Sequence, residues 1–322
     1  MYFTMCHTGP VPIDPRRLRV LRALADHGTV TAAAHALYLS PSAVSQQLAA
    51  LEAEAGRPLL ERHGRNVRFT APGTVLVGHA AKIAVQLERA EADLAACAAG
   101  LVGEVVIAAY PTAITEVVAP AVAALRARAP QVAFQVKDAE GHASLRLLSD
   151  GDADVAVAVE HRETLSDGPA SRDGLLLREA LYAEPFDAVL PPGHRMVGAR
   201  RVPLTDLSDD PWITPWPGNP VHDVVLHACV QAGFRPRVDS LTDDFRAVSA
   251  LVANGAGVAL VPRTALRGIE LGGAVIRPLE GDRPTRRVFA AVRRGSRAHP
   301  LIELALEALH EETLDLGPGP VP

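Results

Sequence analysis

The stretch SPSAVSQQLAALE, residues 40–52, predicts a short helix with an uncharged, hydrogen-bonding face. Its first serine is a good N-cap, and the proline after it suits the first helical position. Val44, Leu48 and Leu51 are spaced at i, i+4 and i+7, so they are expected to face inward. A second face carries small or polar side chains, which are Ser42, Ser45, Gln46 and Ala49. Hydroxyls and amides on a slim helix can reach base edges in the major groove of DNA.

Two predicted helices precede this segment and decide its interpretation. Taken alone, residues 40–52 would suit a surface helix of low charge better than a DNA-reading helix. However, residues 16–26 carry a helical apolar pattern that ends at Gly28, and the short alanine-rich segment 31–38 follows. Two short helices joined by a tight turn place a reading helix in a groove. The predicted DNA contacts from these helices are Thr31, Pro41, Ser42, Ser45, Gln46 and Gln47.

A basic hairpin is predicted directly after the reading helix. The segment ERHGRNVRFT, residues 61–70, places turn-forming residues between two short extended pieces. Three arginines on a loop are more often solvated than bound, but beside a reading helix they suit phosphates or the minor groove. These predicted contacts are Arg62, Arg65 and Arg68. Residues 1–71 hold 8 basic and 5 acidic residues, whereas the remainder holds 24 and 32, so only the N-terminal part is expected to meet a polyanion.

From Leu18 to Gly73 the chain resembles the N-terminal domain of LysR-type transcriptional regulators. The motifs that carry the resemblance are TVTAAAHAL (29–37), SPSAVSQQLAALEAEAGRPLLER (40–62) and VRFTAPG (67–73). The chain departs from the family pattern at Pro41 and Gln46, where Gln and Arg are common. The resemblance implies a winged helix-turn-helix that binds double-stranded DNA. It also implies a small-molecule effector that modulates DNA binding and bending, with RNA polymerase as a further candidate partner.

A long helix with a heptad seam is predicted after the hairpin. Apolar side chains recur with 4-3 spacing, and these are Leu76, Ala80, Ile83, Leu87, Ala90, Leu94 and Cys97. A helix of roughly 28 residues would be about 40 Å long, which suits two DNA half-sites about 34 Å apart. The alternative is a long helix packed on its own domain. The family resemblance implies a linker helix that pairs across a homodimer, and a homotetramer built as a pair of dimers.

Residues after 100 alternate short apolar strands with amphipathic helices, as α/β domains do. Strands are predicted at 104–109, 133–136, 154–159, 186–190, 212–214, 238–241, 257–261 and 288–292. The family resemblance implies two lobes similar to type 2 periplasmic binding proteins. The predicted fold is therefore α+β and multi-domain, with a winged helix-turn-helix, a linker helix and a two-lobed α/β domain. The predicted boundaries are 14–71, 72–100, 101–180 with 285–314 returning to it, 181–284, and a disordered tail at 315–322.

A ligand site is predicted beyond the carboxyl ends of the strands, where helices begin. Thr112 is the strongest candidate, because its hydroxyl and the amides behind it form a helix start suited to an anion. The other predicted ligand-binding residues are Pro111, Ala113, Gly141, His142, Trp216, Asn219 and Phe245. For these residues, ordinary capping or turn roles remain an alternative.

No catalytic site, metal site or cofactor is predicted. His222 and His227 are five residues apart, so they point to different sides of a helix and cannot share a metal. The chain contains neither a Gly-x-Ser-x-Gly elbow nor a Gly-Lys-Ser/Thr phosphate loop. An enzyme is therefore disfavoured. The remaining alternative is a cytoplasmic small-molecule-binding protein whose N-terminal module binds another protein.

The expected compartment is the cytoplasm. The three cysteines, Cys6, Cys97 and Cys229, are unclustered, which predicts no disulfide framework. Residues 1–13 lack the basic start and apolar core of a signal peptide. The longest uncharged apolar stretch, residues 247–262, is too short for a membrane span.

Overall fold

The structure is a computed structural model that describes residues 13–63, 66–97, 101–160, 175–314 and 316. The chain folds into two compact units. Within the described residues, the first unit holds 13–97 with 175–177 and 293–299, and the second holds the rest. The tail predicted to be disordered lies outside the described residues apart from residue 316.

The first unit consists of three short helices, a hairpin and a long helix. Their bounds are α1 (Pro15–His27), α2 (Val30–Ala36), α3 (Pro41–Ala55), β1 (Leu60–His63), β2 (Asn66–Phe69) and α4 (Ala71–Ala96). Ser40 caps α3 as predicted, with its hydroxyl accepting from the amide of Ala43 at 3.2 Å. Gly28 ends α1 in the left-handed conformation (φ 74°), which favours glycine. The helices enclose an apolar core that includes Leu21, Val44 and Leu51.

The second unit alternates strands and helices. Its strands are β3 (Gly103–Ala109), β4 (Val132–Asp138), β5 (Val155–Val159), β6 (Leu176–Leu190), β7 (Pro211–Thr214), β8 (Arg237–Leu241), β9 (Ala259–Pro262), β10 (Val275–Pro278) and β11 (Thr285–Arg293). Its helices are α5 (Pro111–Ala113), a π-turn (Ile114–Val118), α6 (Ala119–Arg128), α7 (His142–Asp150), α8 (Pro220–Gln231), α9 (Phe245–Ala253) and α10 (Pro300–Glu311), with short 3₁₀ turns at Leu204–Leu207 and Arg263–Leu266.

Two long strands, β6 and β11, connect the lobes of the second unit. In the first lobe, β3 pairs in parallel with β4 and β5, and β11 runs antiparallel to β5. In the second lobe, β6 pairs antiparallel with β9 and β10, while β7 and β8 form a separate parallel pair. Because β6 and β11 are neighbours in the sheet, they form the strand pair between the lobes.

The predicted strands all occur, but two features differ from expectation. β6 has 15 residues where a strand was predicted only at 186–190, because charged residues at Arg178, Glu179 and Glu184 interrupt the apolar run in its earlier part. β10 was not predicted, because its four residues, VIRP, hold only two adjacent apolar side chains before an arginine and a proline. Each of the four is half-buried in the structure. The predicted lobe boundary after residue 180 lies inside β6.

Candidate functional site

The polar face of α3 is exposed to solvent. Val44, Leu48 and Leu51 on its inner face are at most 4 % exposed, as their spacing predicts. The predicted contact residues of α2 and α3 all lie on the exposed surface, and these are Thr31, Pro41, Ser42, Ser45, Gln46 and Gln47. The Ser45 hydroxyl donates to the carbonyl oxygen of Pro41 at 2.9 Å, so its oxygen can still accept hydrogen bonds.

The hairpin is fixed to α3 by a carboxylate. One carboxylate oxygen of Glu52 accepts from the backbone amides of Leu59 (2.8 Å) and Leu60 (3.0 Å). β1 and β2 then pair antiparallel, which places Arg68 opposite Glu61 with its side chain exposed. The backbone of Arg62 lies in β1, its side chain is not among those described, and Arg65 lies outside the described residues.

A close backbone contact joins the hairpin to the start of α4. The Thr70 hydroxyl accepts from the amide of Gly73 at 3.1 Å and donates to the carbonyl of Pro58 at 2.9 Å. A Cβ atom at Gly73 would lie 2.1 Å from the carbonyl oxygen of Leu59, a distance that no side chain can occupy. The Thr-x-x-Gly motif therefore fixes the long helix to the hairpin.

The long helix α4 has one packed face and one exposed apolar face. Near its start, Val77 and Ala80 belong to the core that α1, α2 and α3 enclose. The predicted seam is therefore exposed only from Ile83 onward, and it includes Leu87 and Leu94, which are 56 % and 72 % exposed. An apolar stripe of this kind on a helix is typical of a surface that pairs with another helix.

The end of strand β11 contacts α4 within the first unit. Arg293 places Nε 3.3 Å from a carboxylate oxygen of Glu88. A Cβ at Gly295 would lie 2.5 Å from the Cβ of Glu88, so this glycine approaches the helix closely. Burial raises the pKa of Glu88, while Arg293 and Arg22 counteract that effect.

A cleft of about 590 Å³ lies in the second unit, where the ends of several strands meet. β3, β4, β8 and β9 are each followed within three residues by a lining residue, and these are Thr112, Glu140, Asp243 and Thr264. Ligands of open α/β sheets bind at such strand ends. A narrow cavity adjoins the cleft and shares Glu140 and Phe245 with it.

The structure brings five of the eight predicted ligand residues to these two cavities. Pro111, Thr112 and Phe245 line the cleft, and Gly141 and Asn219 line the adjoining cavity. Neither cavity is lined by Ala113, His142 or Trp216. Ala113 points into the core, His142 is exposed at the start of α7, and the Trp216 side chain is 55 % exposed.

Glu140 is a lining residue of the cleft that was not predicted from the sequence. Asn219 Nδ2 donates to Glu140 Oε2 at 3.2 Å and to Asp243 Oδ1 at 3.1 Å. The Glu140 side chain faces the cleft and remains accessible to solvent, yet the cleft walls displace enough water to raise its pKa to about 7, and Asp243 adds to that effect. The signal available in the sequence was a pair of acidic residues at the end of β4 and just beyond it, Asp138 and Glu140.

A buried polar cluster, here called the hinge cluster, lies where the two long strands pass between the lobes. Its members are Tyr110, Tyr182, Glu184, Thr264 and Arg286. Glu184 on β6 accepts from Nε of Arg286 on β11 at 2.6 Å and from the amide of Thr264 at 2.7 Å. The hydroxyls of Tyr110 and Tyr182 lie 3.3 Å apart, and the Arg286 guanidinium stacks 5.1 Å from the centre of the Tyr110 ring. Burial opposes the charge of Arg286, but the neighbouring tyrosines and Glu184 outweigh it and raise its pKa. Arg286 therefore stays cationic.

A larger cavity of about 750 Å³ lies elsewhere in the second unit, beside α8 and the turn before β11. Its lining includes Leu204, Val224 and Pro284. This cavity is not built from the strand ends that define the cleft, so size alone does not make it the ligand site. Within the part of the chain that the structure describes, no cluster of three His, Cys, Asp or Glu residues is placed to bind a metal. No described helix is both long and apolar enough to cross a membrane.

Family models match both units of the chain. Residues 15–74 match the family described as "Bacterial regulatory helix-turn-helix protein, lysR family". Residues 98–314 match the family described as "LysR substrate binding domain".

Individual relatives cover most of the chain. A "Probable hydrogen peroxide-inducible genes activator" of Mycobacterium avium is 32% identical over 77% of this chain and 78% of its own length. The regulator MetR of Salmonella typhimurium is 27% identical over 94% of this chain and 92% of its own. Among solved structures, a full-length OxyR from Pseudomonas aeruginosa superposes with a TM-score of 0.64 at 22% identity, covering 92% of this chain and 95% of that one. An OxyR of Corynebacterium glutamicum superposes with a TM-score of 0.58 at 24% identity, covering 94% of this chain and 93% of that one. At this identity the structures indicate a shared fold.

Proposed function

The chain belongs to the LysR family of bacterial transcriptional regulators, and we propose that α3 reads DNA while the cleft between the lobes binds the controlling effector. The chain is a DNA-binding transcriptional regulator with a helix-turn-helix and an effector-binding domain. Regulators of this family bind DNA and small molecules and act as oligomers. The observation that carries the proposal is the exposed, uncharged face of α3.

We place the reading face of α3 in the major groove. Ser42, Ser45 and Gln46 provide the base contacts, and Pro41, Gln47 and Thr31 lie at the edge of the same surface. Since the Ser45 hydroxyl already donates within the helix, it offers acceptor positions, which suit the exocyclic amino groups of adenine or cytosine. Arg62, Arg65 and Arg68 bind phosphates or the minor groove and set the register.

Two copies pair through α4. The exposed stripe from Ile83 to Leu94 is the contact, and the helix of 26 residues is about 39 Å long at 1.5 Å per residue. This length suits heads that bind half-sites one helical turn apart, about 34 Å. Pairs of dimers form tetramers through the second unit.

The effector acts by changing how the lobes close, which changes DNA bending and the contact with RNA polymerase. Strand β11 supplies a route by which this change can reach α4. It runs from the hinge cluster at Arg286 to Arg293, which contacts Glu88 on that helix. We further propose that the protein acts in the cytoplasm and has no catalytic activity of its own.

Peroxide sensing is a second candidate, since one relative is described as a peroxide-inducible activator. The cysteine of the second unit argues against it. Cys229 is fully buried in α8, and burial raises the pKa of its thiol to about 12. A peroxide-reactive thiol needs the opposite environment, accessible and with a depressed pKa. The second unit therefore offers no thiol of this kind, and we favour an effector other than an oxidant.

Gel-shift titration on DNA upstream of the chain's own gene tests the proposal. Ser45→Ala is expected to weaken specific binding by about 1–3 kcal/mol, as one lost base contact does. Ser149→Ala is the matched control, because Ser149 makes the same hydroxyl-to-carbonyl bond, 3.0 Å to Leu145, on α7 of the second unit. Equal binding by both variants would refute the assignment of α3.

A further inference from the structure

We propose that the effector of this regulator carries a protonated amine or a guanidinium group, which binds between Glu140 and Asp243. This inference rests on the proposed function, which places a small molecule in the cleft, and it adds the sign of the charge that the molecule carries.

The cleft carries an excess of negative charge. Four carboxylates and two guanidinium groups line it, and they belong to Glu116, Glu140, Asp243, Asp244, Arg246 and Arg267. Arg267 lies 3.3 Å from Glu116, so these two charges offset each other. Three carboxylates then face a single guanidinium, that of Arg246. Beneath them, the charge of Arg286 is matched by that of Glu184.

Glu140 and Asp243 are held in position but keep unused acceptor capacity. Both accept from the same amide group of Asn219, at 3.2 and 3.1 Å, and Asp243 also accepts from the backbone amide of Trp216 at 3.0 Å. An ionised carboxylate offers about four acceptor positions, so positions remain on both side chains. An ammonium with three donors, or a planar guanidinium, can satisfy two carboxylates at once.

The two carboxylates belong to different lobes. Glu140 follows β4 of the first lobe, and Asp243 follows β8 of the second. A cation bound between them contacts both lobes and lowers the repulsion across the cleft. Binding would therefore favour the closed arrangement, which is the response that the proposed function requires.

The acid–base behaviour of Glu140 agrees with this geometry. Its pKa is raised to about 7 by loss of hydration and by Asp243 and Asp138, against the opposing influence of Arg286 and Asn219. Near neutral pH a proton therefore partly occupies the position that a ligand cation would take. Cation binding should displace that proton and strengthen as the pH rises from 6 to 8.

A ligand at this place is indicated independently of the carboxylates. The cleft lies at four strand ends, its volume of about 590 Å³ is in the usual range for small-molecule sites, and residues 98–314 match a substrate-binding family. An anionic ligand would meet Glu140, Asp243 and Asp244 with only Arg246 to balance them. The charge of the lining favours a cation.

Thermal-shift and calorimetric titrations of the full chain can test the charge of the ligand. The probes are putrescine, agmatine and arginine as cations, succinate and adipate as anions, and 1,4-butanediol as a neutral molecule, at constant ionic strength. At least one cation is expected to stabilise the chain saturably, and Glu140→Gln or Asp243→Asn should weaken it about tenfold or more. The matched controls are Glu307→Gln and Asp209→Asn, which remove exposed carboxylates elsewhere.

The outcomes separate this inference from the proposed function. Saturable binding of the dicarboxylates alone, or cation binding that Glu140→Gln and Asp243→Asn leave unchanged, would overturn the charge assignment and leave the cleft as effector site. Absence of saturable binding by every cation also overturns it. The proposed effector site itself fails if the cleft variants leave DNA binding and bending in every condition the same as wild type.

Discussion

Replacing Glu184 by Gln would leave the guanidinium of Arg286 buried without its counter-charge. Both side chains are 1% exposed, and the carboxylate accepts from Arg286 Nε at 2.6 Å and from the amide and hydroxyl of Thr264 at 2.7 and 2.9 Å. Gln keeps the size and one acceptor oxygen but loses the charge. Removing one partner of a buried ion pair costs about 3–5 kcal/mol.

Denaturation followed by tryptophan fluorescence measures this loss in the relevant unit. The chain's two tryptophans, Trp212 and Trp216, both lie in the second unit. At about 2–4 °C per kcal/mol for a unit of this size, the transition should fall by roughly 10 °C. Replacing both partners, as Glu184→Gln with Arg286→Met, should recover much of the loss, because no uncompensated charge remains.

The matched control removes a carboxylate from an exposed ion pair. Glu311→Gln breaks the pair that Glu311 forms with Arg128 at the surface of the second unit, and no measurable change in stability is expected. If Glu184→Gln proves as stable as Glu311→Gln, the buried pair is not a structural requirement of the hinge, and the reasoning is refuted.

Three further predictions concern the helix α4 and the cleft. Gly73→Ala should destabilise the first unit by about 1–3 kcal/mol, because a Cβ would lie 2.1 Å from the carbonyl oxygen of Leu59. Gly78→Ala, which has open space around it, should instead stabilise this unit by about 0.5–1 kcal/mol. Urea unfolding followed by circular dichroism compares the two variants, and equal effects would contradict the packing described. Leu87→Glu should remove a self-association step in sedimentation velocity, whereas Gln86→Glu, one residue earlier, should not. If Leu87→Glu assembles as wild type does, the exposed apolar stripe of α4 is not the contact between copies. The pKa of Glu140 is raised from 4.5 to about 7 in the folded chain. Wild type should therefore lose stability relative to Glu140→Gln as the pH rises from 4.5 to about 7, and lose no more above that range. A stability difference between the two proteins that stays constant at all pH values would contradict the shift.

The N-terminal unit could be predicted in detail because its signals are local. Ser40 caps a helix, Gly28 ends one, and the spacing of Val44, Leu48 and Leu51 identifies the buried face, all from neighbouring residues. The Thr-x-x-Gly motif at Thr70 to Gly73 was recognised as a family feature, but the physical reason for its glycine was not. The contact of Gly73 with the backbone of Leu59 spans 14 residues, so no local pattern contains it.

The cleft was only partly predictable because tertiary structure determines its composition. The rule that ligands bind at strand ends correctly pointed to Thr112, Asn219 and Phe245 as lining residues. It could not show that Glu140 and Asp243 share one amide, because they are 103 positions apart and belong to different lobes. The hinge pair of Glu184 and Arg286 was missed for another reason. A charged residue in a strand pattern is normally assigned to the solvent-exposed face, but both of these side chains are buried.

Photo-cross-linking from the face of α3 tests the central claim most directly. The photoreactive residue p-benzoylphenylalanine is placed at position 46 on α3 or, as a control, at position 231 at the exposed end of α8, and each full chain is irradiated on DNA from upstream of its own gene. The account predicts cross-links from position 46 at one or two bases in each half-site and none from position 231. Cross-links from position 231 alone, or none from position 46 on DNA that the chain retards in a gel, would contradict it.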